Sequence, residues 1–207
     1  MAVTNLVSET EKYEVLIQGL IDQKFGFVDH FLDDVVVSGL RKNLAKYYEN
    51  SEMNPAGIGK KFDYQKNTEV RGDLIKWLDN KSEDPYERAF LNQVQNFIKH
   101  LNATCYTSIN DFEFHYAMYD VGSFYKKHLD QFKSDRGRKY SLVTYLNENW
   151  KVTDGGNLSL YLDNEKIENV FPFGGRSVFF KSDELEHEVH PSHNRKRLSI
   201  AGWLKTI

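Results

Sequence analysis

The sequence of 207 residues is poor in cysteine and proline: Cys105 is its one cysteine, and four residues are proline. A single cysteine cannot form a disulfide within the chain, and it excludes a zinc site built from several thiolates. A chain with one cysteine, and therefore no internal disulfide, suits a reducing compartment. We therefore predict a cytoplasmic protein, in which any bound metal has histidine and carboxylate ligands.

The sequence also lacks long apolar runs and an excess of positive charge. Nowhere do about 18 apolar residues follow one another, which excludes a transmembrane helix, and residues 1–9 lack the basic and apolar segments of a secretory signal. Lysine and arginine number 27 against 30 aspartate and glutamate residues, so the net charge is −3. A surface for nucleic acid or an anionic membrane would need a basic excess, so neither partner is expected.

The order of helical and strand-like segments predicts one α+β domain over 1–207. Apolar residues recur at helical spacing in three segments of the first half, at about 9–20, 33–48 and 85–101. Ser8 and Asp84 precede two of these segments as helix-capping residues. In the second half, apolar and polar residues alternate in short runs separated by glycine-containing turns. We expect helical support in about 1–103 and a barrel or jelly-roll core in about 104–207.

A long polar segment, Asn50 to Thr68, separates the second and third helical segments. A loop of that length in a compact domain is usually mobile or functional. Its composition is equally compatible with a solvent-exposed loop that has no function. It is our candidate for a lid over the substrate. Glu69 to Leu78, which follows, is expected to form two short strands around Gly72.

Several histidines stand where they could bind a metal. Residues two apart on a strand point to the same face, so His128 and Asp130 can bind one ion. A third ligand from another strand would complete the two histidines and one carboxylate that are typical of non-haem Fe(II) oxygenases. Three further histidines lie near the C terminus: His187, His190 and His193. We expect the isolated ones to be structural or surface residues: His30, His100 and His115.

Arg197 follows His187 by ten residues and begins a strand-like run that ends at Trp203. Its guanidinium group is suited to bidentate binding of a carboxylate. Strand alternation places four side chains of the run on one face, which we take as the inner one: Arg197, Ser199, Ala201 and Trp203. An iron site and a carboxylate-binding residue would then share one cavity. Arg195 and Lys196 are alternatives, and Arg197 is preferred because the pattern x-Ser-Ile-x-x-Trp follows it and its strand parity agrees with that of Trp203.

Four of these segments resemble the 2-oxoglutarate/Fe(II) dioxygenases of the prolyl 4-hydroxylase superfamily: His128-Leu129-Asp130, His187-Glu188-Val189, Pro191 and Arg197 through Trp203. The sequence is more similar still to the hypoxia-inducible-factor prolyl hydroxylases and their bacterial counterparts. Four further motifs carry that similarity: Arg71-Gly72-Asp73-x-Ile75-x-Trp77, Tyr145-Leu146-Asn147, Gly155-Gly156-Asn157-Leu158 and the aromatic-rich stretch from Tyr119 to Tyr125. The resemblance runs from about Val70 to the C terminus, in the same order along the chain.

The resemblance implies a double-stranded β-helix, or jelly roll, that binds a metal and a cosubstrate. Fe(II) would be held by His128, Asp130 and His187. His190 has the opposite strand parity to His187, so we do not expect both to reach one ion. 2-Oxoglutarate would be the cosubstrate and O2 the oxidant, with ascorbate as an auxiliary reductant.

The resemblance also assigns residues to two sides of the cavity. Arg197 would pair with the distal carboxylate of 2-oxoglutarate, and Tyr145 would hydrogen-bond to it. Three residues would complete the cosubstrate side: Tyr119, Leu158 and Trp203. Six would lie on the substrate side: Arg71, Asp73, Ile75, Trp77, Tyr125 and Arg138. The simpler alternatives are a structural Arg71–Asp73 ion pair, core packing for Tyr145 and Trp203, and a solvated basic turn at Arg138.

The implied reaction is the hydroxylation of a prolyl residue in a protein or peptide, with succinate and CO2 as coproducts. Two alternatives remain open at this point. The same chemistry could act on a free amino acid or another small molecule, since an aromatic entrance and a long lid suit both. A non-enzymatic metal-binding jelly roll would need the three metal ligands but no carboxylate-binding arginine.

Overall fold

The structure is a computed structural model that describes residues 8–57, 70–131 and 136–207. Its helices are α1 (Glu9–Gln23), α2 (Asp34–Glu49) and α3 (Pro85–Cys105), with a 3-10 turn at Val152–Asp154. Its strands are β1 (Phe25–Val28), β2 (Asn54–Pro55), β3 (Asp73–Trp77), β4 (Asp111–Tyr119), β5 (Tyr125–His128), β6 (Arg138–Tyr145), β7 (Leu158–Leu162), β8 (Glu165–Val170), β9 (Ser177–Lys181), β10 (Glu186–Val189) and β11 (Arg197–Lys205). Among the described residues, no helix is long and apolar enough to cross a membrane.

Local hydrogen bonds set the starts of two helices, as the sequence predicts. The Ser8 hydroxyl accepts a hydrogen bond from the backbone N–H of Glu11, whose carboxylate accepts one from the N–H of Ser8. This reciprocal pair satisfies amide groups that the start of a helix leaves without partners. Asp84 caps α3 by accepting from two N–H groups of its first turn, and Pro85 occupies the first helical position.

Two antiparallel sheets form the described part of the core. The larger has seven strands in the order β1-β9-β6-β11-β4-β3-β2, and the smaller has four in the order β5-β10-β7-β8. This arrangement confirms the predicted α+β class and the double-stranded β-helix. The first half of the chain supplies strands as well as helices, because β1 pairs with β9 and β3 pairs with β4.

The larger sheet separates two hydrophobic clusters, because alternate residues of a strand point to opposite faces. On β4, Phe114 and Tyr116 pack in a cluster with buried residues of all three helices. Ala117 and Tyr119, from the same strand, pack with residues of the smaller sheet such as Leu158. The helices therefore cover one face of the larger sheet, and its other face meets the smaller sheet around the predicted site.

The segment around Gly72 differs from its prediction. Within residues 70–78 one strand forms, β3, and the prediction of two short strands is wrong. Gly72 donates its backbone N–H to the carbonyl oxygen of Phe124, and Arg71 makes an isolated bridge with Tyr125. These bonds direct the chain before Gly72 towards β5, away from the sheet that contains β3.

The predicted lid, 50–68, lies outside the described residues from position 58 onward. Its described start contains β2, which pairs with β3 at the edge of the larger sheet. Gly57, the last described residue before the gap, lines the cavity described below.

Candidate active site

A cavity of about 840 Å³ lies between the two sheets. Its walls come from β3, β4, β6 and β11 of the larger sheet and from β5, β7 and β10 of the smaller one. Twelve residues that the sequence assigns to the site line it: Arg71, Ile75, Trp77, Tyr119, Tyr125, His128, Asp130, Arg138, Leu158, His187, Arg197 and Trp203. The other two, Asp73 and Tyr145, lie behind the wall against Arg71 and Arg197 respectively.

Three of these side chains form a metal-binding arrangement where β5 and β10 meet. His187 of β10 pairs in register with His128 at the end of β5, and their ring centroids are 4.2 Å apart. The carboxylate oxygens of Asp130 lie 3.6 Å from His128 Nε2 and 3.5 Å from His187 Nε2. One ligand atom from each residue lies within 4.8 Å of the others. Two imidazoles and one carboxylate fit Fe(II), because they leave coordination positions open on one side of the ion.

Hydrogen bonds behind the ligands fix their orientation and protonation. A carbonyl oxygen only accepts, so Nδ1 of His128 donates to Lys126 at 2.7 Å, which leaves Nε2 unprotonated for a metal. The Ser141 hydroxyl donates to Asp130 Oδ2 at 2.7 Å. Burial acts to raise the pKa of Asp130, but the two histidines hold it well below its usual range, while burial and His187 lower the pKa of His128. His128 thus favours the neutral imidazole and Asp130 the ionised carboxylate, the forms that bind a metal.

Arg197 is a buried cation, 2% exposed, in the wall of the same cavity. Its Nε donates to the carbonyl oxygen of Gly156 at 2.9 Å, and the rings of Tyr119 and Tyr145 lie 5.1 and 4.9 Å from its guanidinium carbon. Within the described ranges, no carboxylate lies within ion-pair distance of Arg197, and the buried Tyr145 hydroxyl has no hydrogen-bond partner. A buried charge without a counterion is costly. The two groups therefore fit a bound carboxylate, which could accept hydrogen bonds from both.

An arginine–aspartate pair supports the aromatic wall next to the metal ligands. Arg71 donates to the two carboxylate oxygens of Asp73 at 2.8 and 2.6 Å. Its guanidinium carbon lies 4.2 Å from the centroid of the Tyr125 ring, which stacks on His128 at 3.5 Å. The ion pair that the sequence suggests is present, and through Tyr125 it packs against a metal ligand.

A second arginine supports Trp203. Arg138 lies on β6 with its guanidinium carbon 3.4 Å from the centroid of the Trp203 ring, and it pairs with Glu113 at 2.9 Å. Its side chain is 17% exposed, so the alternative of a solvated basic turn is wrong. The rings of Tyr125 and Trp203 in the cavity wall are thus each held in place by a buried or half-buried ion pair.

Four residues near the C terminus that compete for these roles lie outside the cavity wall: His190, His193, Arg195 and Lys196. His190 Nε2 is 2.7 Å from the Ser159 hydroxyl. The ammonium group of Lys196 lies 3.9 Å over the ring of Tyr48 in α2. These positions agree with the preference for His187 and Arg197, which parity alone supports against His190 and Lys196.

Sequence reasoning missed three cavity residues of β4, of which two are polar, Glu113 and His115, and the third is Ala117. An isolated histidine carries no motif, which is why His115 received no role. A signal was present, because Glu113, His115 and Tyr119 have the same strand parity. Once Tyr119 is placed at the cavity, alternation places the other two there as well.

Comparisons with known proteins agree with this geometry. The family model of the 2OG-Fe(II) oxygenase superfamily matches residues 114–205. A prolyl-4-hydroxylase from Pseudomonas putida is 32% identical, with 94% of this chain and 99% of that chain covered and a TM-score of 0.82. A prolyl hydroxylase from Trichoplax adhaerens, solved with a peptide fragment of the hypoxia inducible factor oxygen degradation domain, is 22% identical, with 99% and 94% covered and a TM-score of 0.85. The chain therefore belongs to the 2OG-Fe(II) oxygenase superfamily, in its prolyl 4-hydroxylase family, and is a dioxygenase that uses Fe(II), 2-oxoglutarate and O2.

Proposed function

We propose that this dioxygenase hydroxylates a prolyl residue within a protein or peptide and releases succinate and CO2. One observation carries the proposal: the three metal ligands share a cavity with a buried, uncompensated Arg197 and with an aromatic wall. Similarity to the Pseudomonas putida prolyl-4-hydroxylase over nearly the whole chain supports the choice of a prolyl substrate.

Four residues would position the metal and the cosubstrate. Fe(II) held by His128, Asp130 and His187 supplies, with 2-oxoglutarate and O2, the oxidant that hydroxylates a C–H bond. Arg197 would bind the distal carboxylate of 2-oxoglutarate through parallel N–H···O bonds. Because Gly156 fixes the guanidinium group, this carboxylate would be held with little further loss of side-chain freedom.

Three neighbouring residues would complete the cosubstrate side. The Tyr145 hydroxyl would donate to the same carboxylate and so gain the partner that it lacks. Tyr119 and Leu158 are buried in the same cluster as Tyr145 and would exclude water from the keto acid. Trp203 would stand between the cosubstrate and the substrate.

The substrate would lie against the aromatic wall. The proline ring offers mainly C–H groups, which pack well against the faces of aromatic side chains. Trp77, Tyr125 and Ile75 present such apolar surface on the cavity wall. Arg71, with Asp73, would hold the Tyr125 face in place, and Arg138 would do the same for Trp203.

We further propose that the chain works as a single domain in the cytoplasm. Strands from both halves share one sheet, so neither half has a complete core of its own. Cys105 is exposed and free, and the fold therefore needs no oxidising compartment.

Mass spectrometry on a lysate tests the proposal. Cell lysate incubated with the Fe(II)-loaded protein and 2-oxoglutarate should contain peptides that gain one oxygen atom on proline, together with new succinate. His128→Ala should abolish both products, whereas His190→Ala, which changes a histidine outside the cavity, should preserve them. Oxygen gained only by a free amino acid would favour the small-molecule alternative, and unchanged turnover in His128→Ala would overturn the metal site.

A further inference from the structure

Two buried serine hydroxyls lead from the interior of the larger sheet to the carboxylate of the metal site. The Ser141 hydroxyl lies 2.7 Å from Asp130 Oδ2 and 2.9 Å from the Ser182 hydroxyl. Ser141 is on β6, Ser182 directly follows β9, and both are 0% exposed. A buried hydroxyl is costly unless it is hydrogen-bonded, so these contacts matter to the fold as well as to the site.

The carboxylate fixes the direction of both hydrogen bonds. An ionised carboxylate only accepts, so the single hydrogen of the Ser141 hydroxyl points to Asp130. The Ser141 oxygen can then only accept from its other neighbour, and Ser182 is the donor of the second bond. In a low-dielectric interior each bond polarises the next, so the donor on Ser182 strengthens the bond that Ser141 makes to Asp130.

Asp130 depends on such support because it lies beyond the end of β5, which stops at His128. The backbone next to it is held by the N–H of Gln131, which donates to the carbonyl oxygen of Ser182 at 2.9 Å. That bond places the main chain, whereas the Ser141 hydroxyl holds the carboxylate itself. Ser182 therefore acts on this ligand twice, through its carbonyl oxygen and through its hydroxyl.

A second hydroxyl pair on the same two strands faces the other way. Thr144 and Ser177 pair in register between β6 and β9, with their hydroxyl oxygens 2.7 Å apart, and both are 0% exposed. Thr144 is three residues from Ser141, so strand alternation turns its side chain to the opposite face of the sheet, away from the cavity. This pair is an internal reference for a buried hydroxyl contact that has no connection to the metal ligands.

We propose that Ser182 is a positioning residue of the metal site. Its hydroxyl orients that of Ser141, which in turn holds the carboxylate of Asp130 at the angle that binds the metal. Ser182 lies outside the cavity wall, so its effect passes through Ser141. The proposal concerns the metal site that every substrate would share, and it goes beyond the proposed function without depending on it.

Competition with a chelator measures the effect without turnover. Ser182→Ala should weaken Zn(II) binding about three- to tenfold, the effect of one hydrogen bond. Ser177→Ala is the matched control, because it removes an equally buried hydroxyl pair from the same two strands, and its Zn(II) affinity should equal that of the wild type. His128→Ala gives the Zn(II) that binds at other sites. Thermal unfolding of the metal-free proteins should show a similar small decrease in both serine variants.

A double variant separates action through Ser141 from a general loss of packing. Once Ser141 is replaced by alanine, the Ser182 hydroxyl has no path to the carboxylate. Ser141→Ala/Ser182→Ala should therefore bind Zn(II) as weakly as Ser141→Ala alone. Two independent packing defects would instead multiply their losses of affinity.

Wild-type Zn(II) affinity in Ser182→Ala would overturn the proposal, as would an equal loss of affinity in Ser177→Ala. Losses that multiply in the double variant would overturn it too. No substrate enters these measurements, so their result is independent of the hydroxyproline assay. A Zn(II) affinity that depends on Ser182, in a protein that forms no hydroxyproline, would refute the proposed function alone.

Discussion

Replacement of Arg197 by methionine tests the carboxylate-binding end of the cavity. Methionine has a long flexible side chain and no charge, so it fills much of the same space. The wild-type guanidinium would bind 2-oxoglutarate through two charge-assisted hydrogen bonds, each contributing about 1.5–3 kcal/mol. Allowing for the cost of dehydrating the charges, we expect a loss of about 3–4 kcal/mol. The KM for 2-oxoglutarate should therefore rise by roughly two to three orders of magnitude.

The same substitution should act differently on the protein without 2-oxoglutarate. There Arg197 is a buried cation with no carboxylate partner among the described residues, so its removal relieves a desolvation cost. We expect the free energy of unfolding of Arg197→Met without ligand to equal or exceed that of the wild type. At 100 times its Kd, 2-oxoglutarate should stabilise the wild type by about 2.7 kcal/mol and the variant by far less.

Two assays measure these effects: succinate formation as a function of 2-oxoglutarate, and thermal unfolding of the Zn(II)-loaded protein with and without it. Arg197→Lys is the matched control, because it keeps the charge but cannot form the bidentate pair and should be intermediate. An unchanged KM in Arg197→Met, or full stabilisation of that variant by 2-oxoglutarate, would refute the assignment of Arg197.

Tyr145→Phe removes a hydroxyl without a described partner, so it should leave the ligand-free stability unchanged and raise the KM for 2-oxoglutarate about five- to tenfold. Ser141→Ala removes the donor to Asp130 and should weaken metal binding about 10- to 100-fold in competition with a chelator. The pKa of His115 is about 4 in the fold and about 6.5 unfolded, so the unfolded chain binds more protons between these values. The free energy of unfolding should fall by about 3 kcal/mol as pH drops through that range, and His115→Phe should remove that decrease in urea titrations.

Each of these three predictions has an outcome that would contradict it. A large loss of ligand-free stability in Tyr145→Phe would mean that the hydroxyl has a structural partner. Wild-type metal affinity in Ser141→Ala would show that Asp130 binds the metal equally well without the hydrogen bond from Ser141. A pH dependence that is identical in His115→Phe would place the titrating group elsewhere.

Local rules accounted for the parts of the fold and site that lie within one segment. The capping residues Ser8 and Asp84 marked two helix starts, since their hydrogen bonds are made within one turn. Strand alternation placed Arg197 and Trp203 on the same inner wall, because that face is set by parity alone. The same rule separated His190 from His187.

Contacts between segments that are distant in the sequence could not be predicted from capping residues or strand alternation. The pairing of His128 with His187 depends on β5 and β10 being neighbours, which no local pattern specifies, so that ligand set came from a family resemblance. The segment before Gly72 was predicted as a strand because its composition allows one, but its partner is Tyr125 in the other sheet. Strand parity could have placed His115 on the cavity face, but not beside Trp77 and Trp203, which lie on different strands.

The central claim is that the iron site and the carboxylate-binding arginine act together to hydroxylate proline in a peptide chain. The most direct test is the ratio of hydroxyproline to succinate formed by the Fe(II)-loaded protein on a proline-containing protein substrate found in the lysate. We predict one hydroxyproline for each succinate in the wild type and neither product in His128→Ala. Succinate that forms without any hydroxyproline, at the same rate with and without that substrate, would contradict the account.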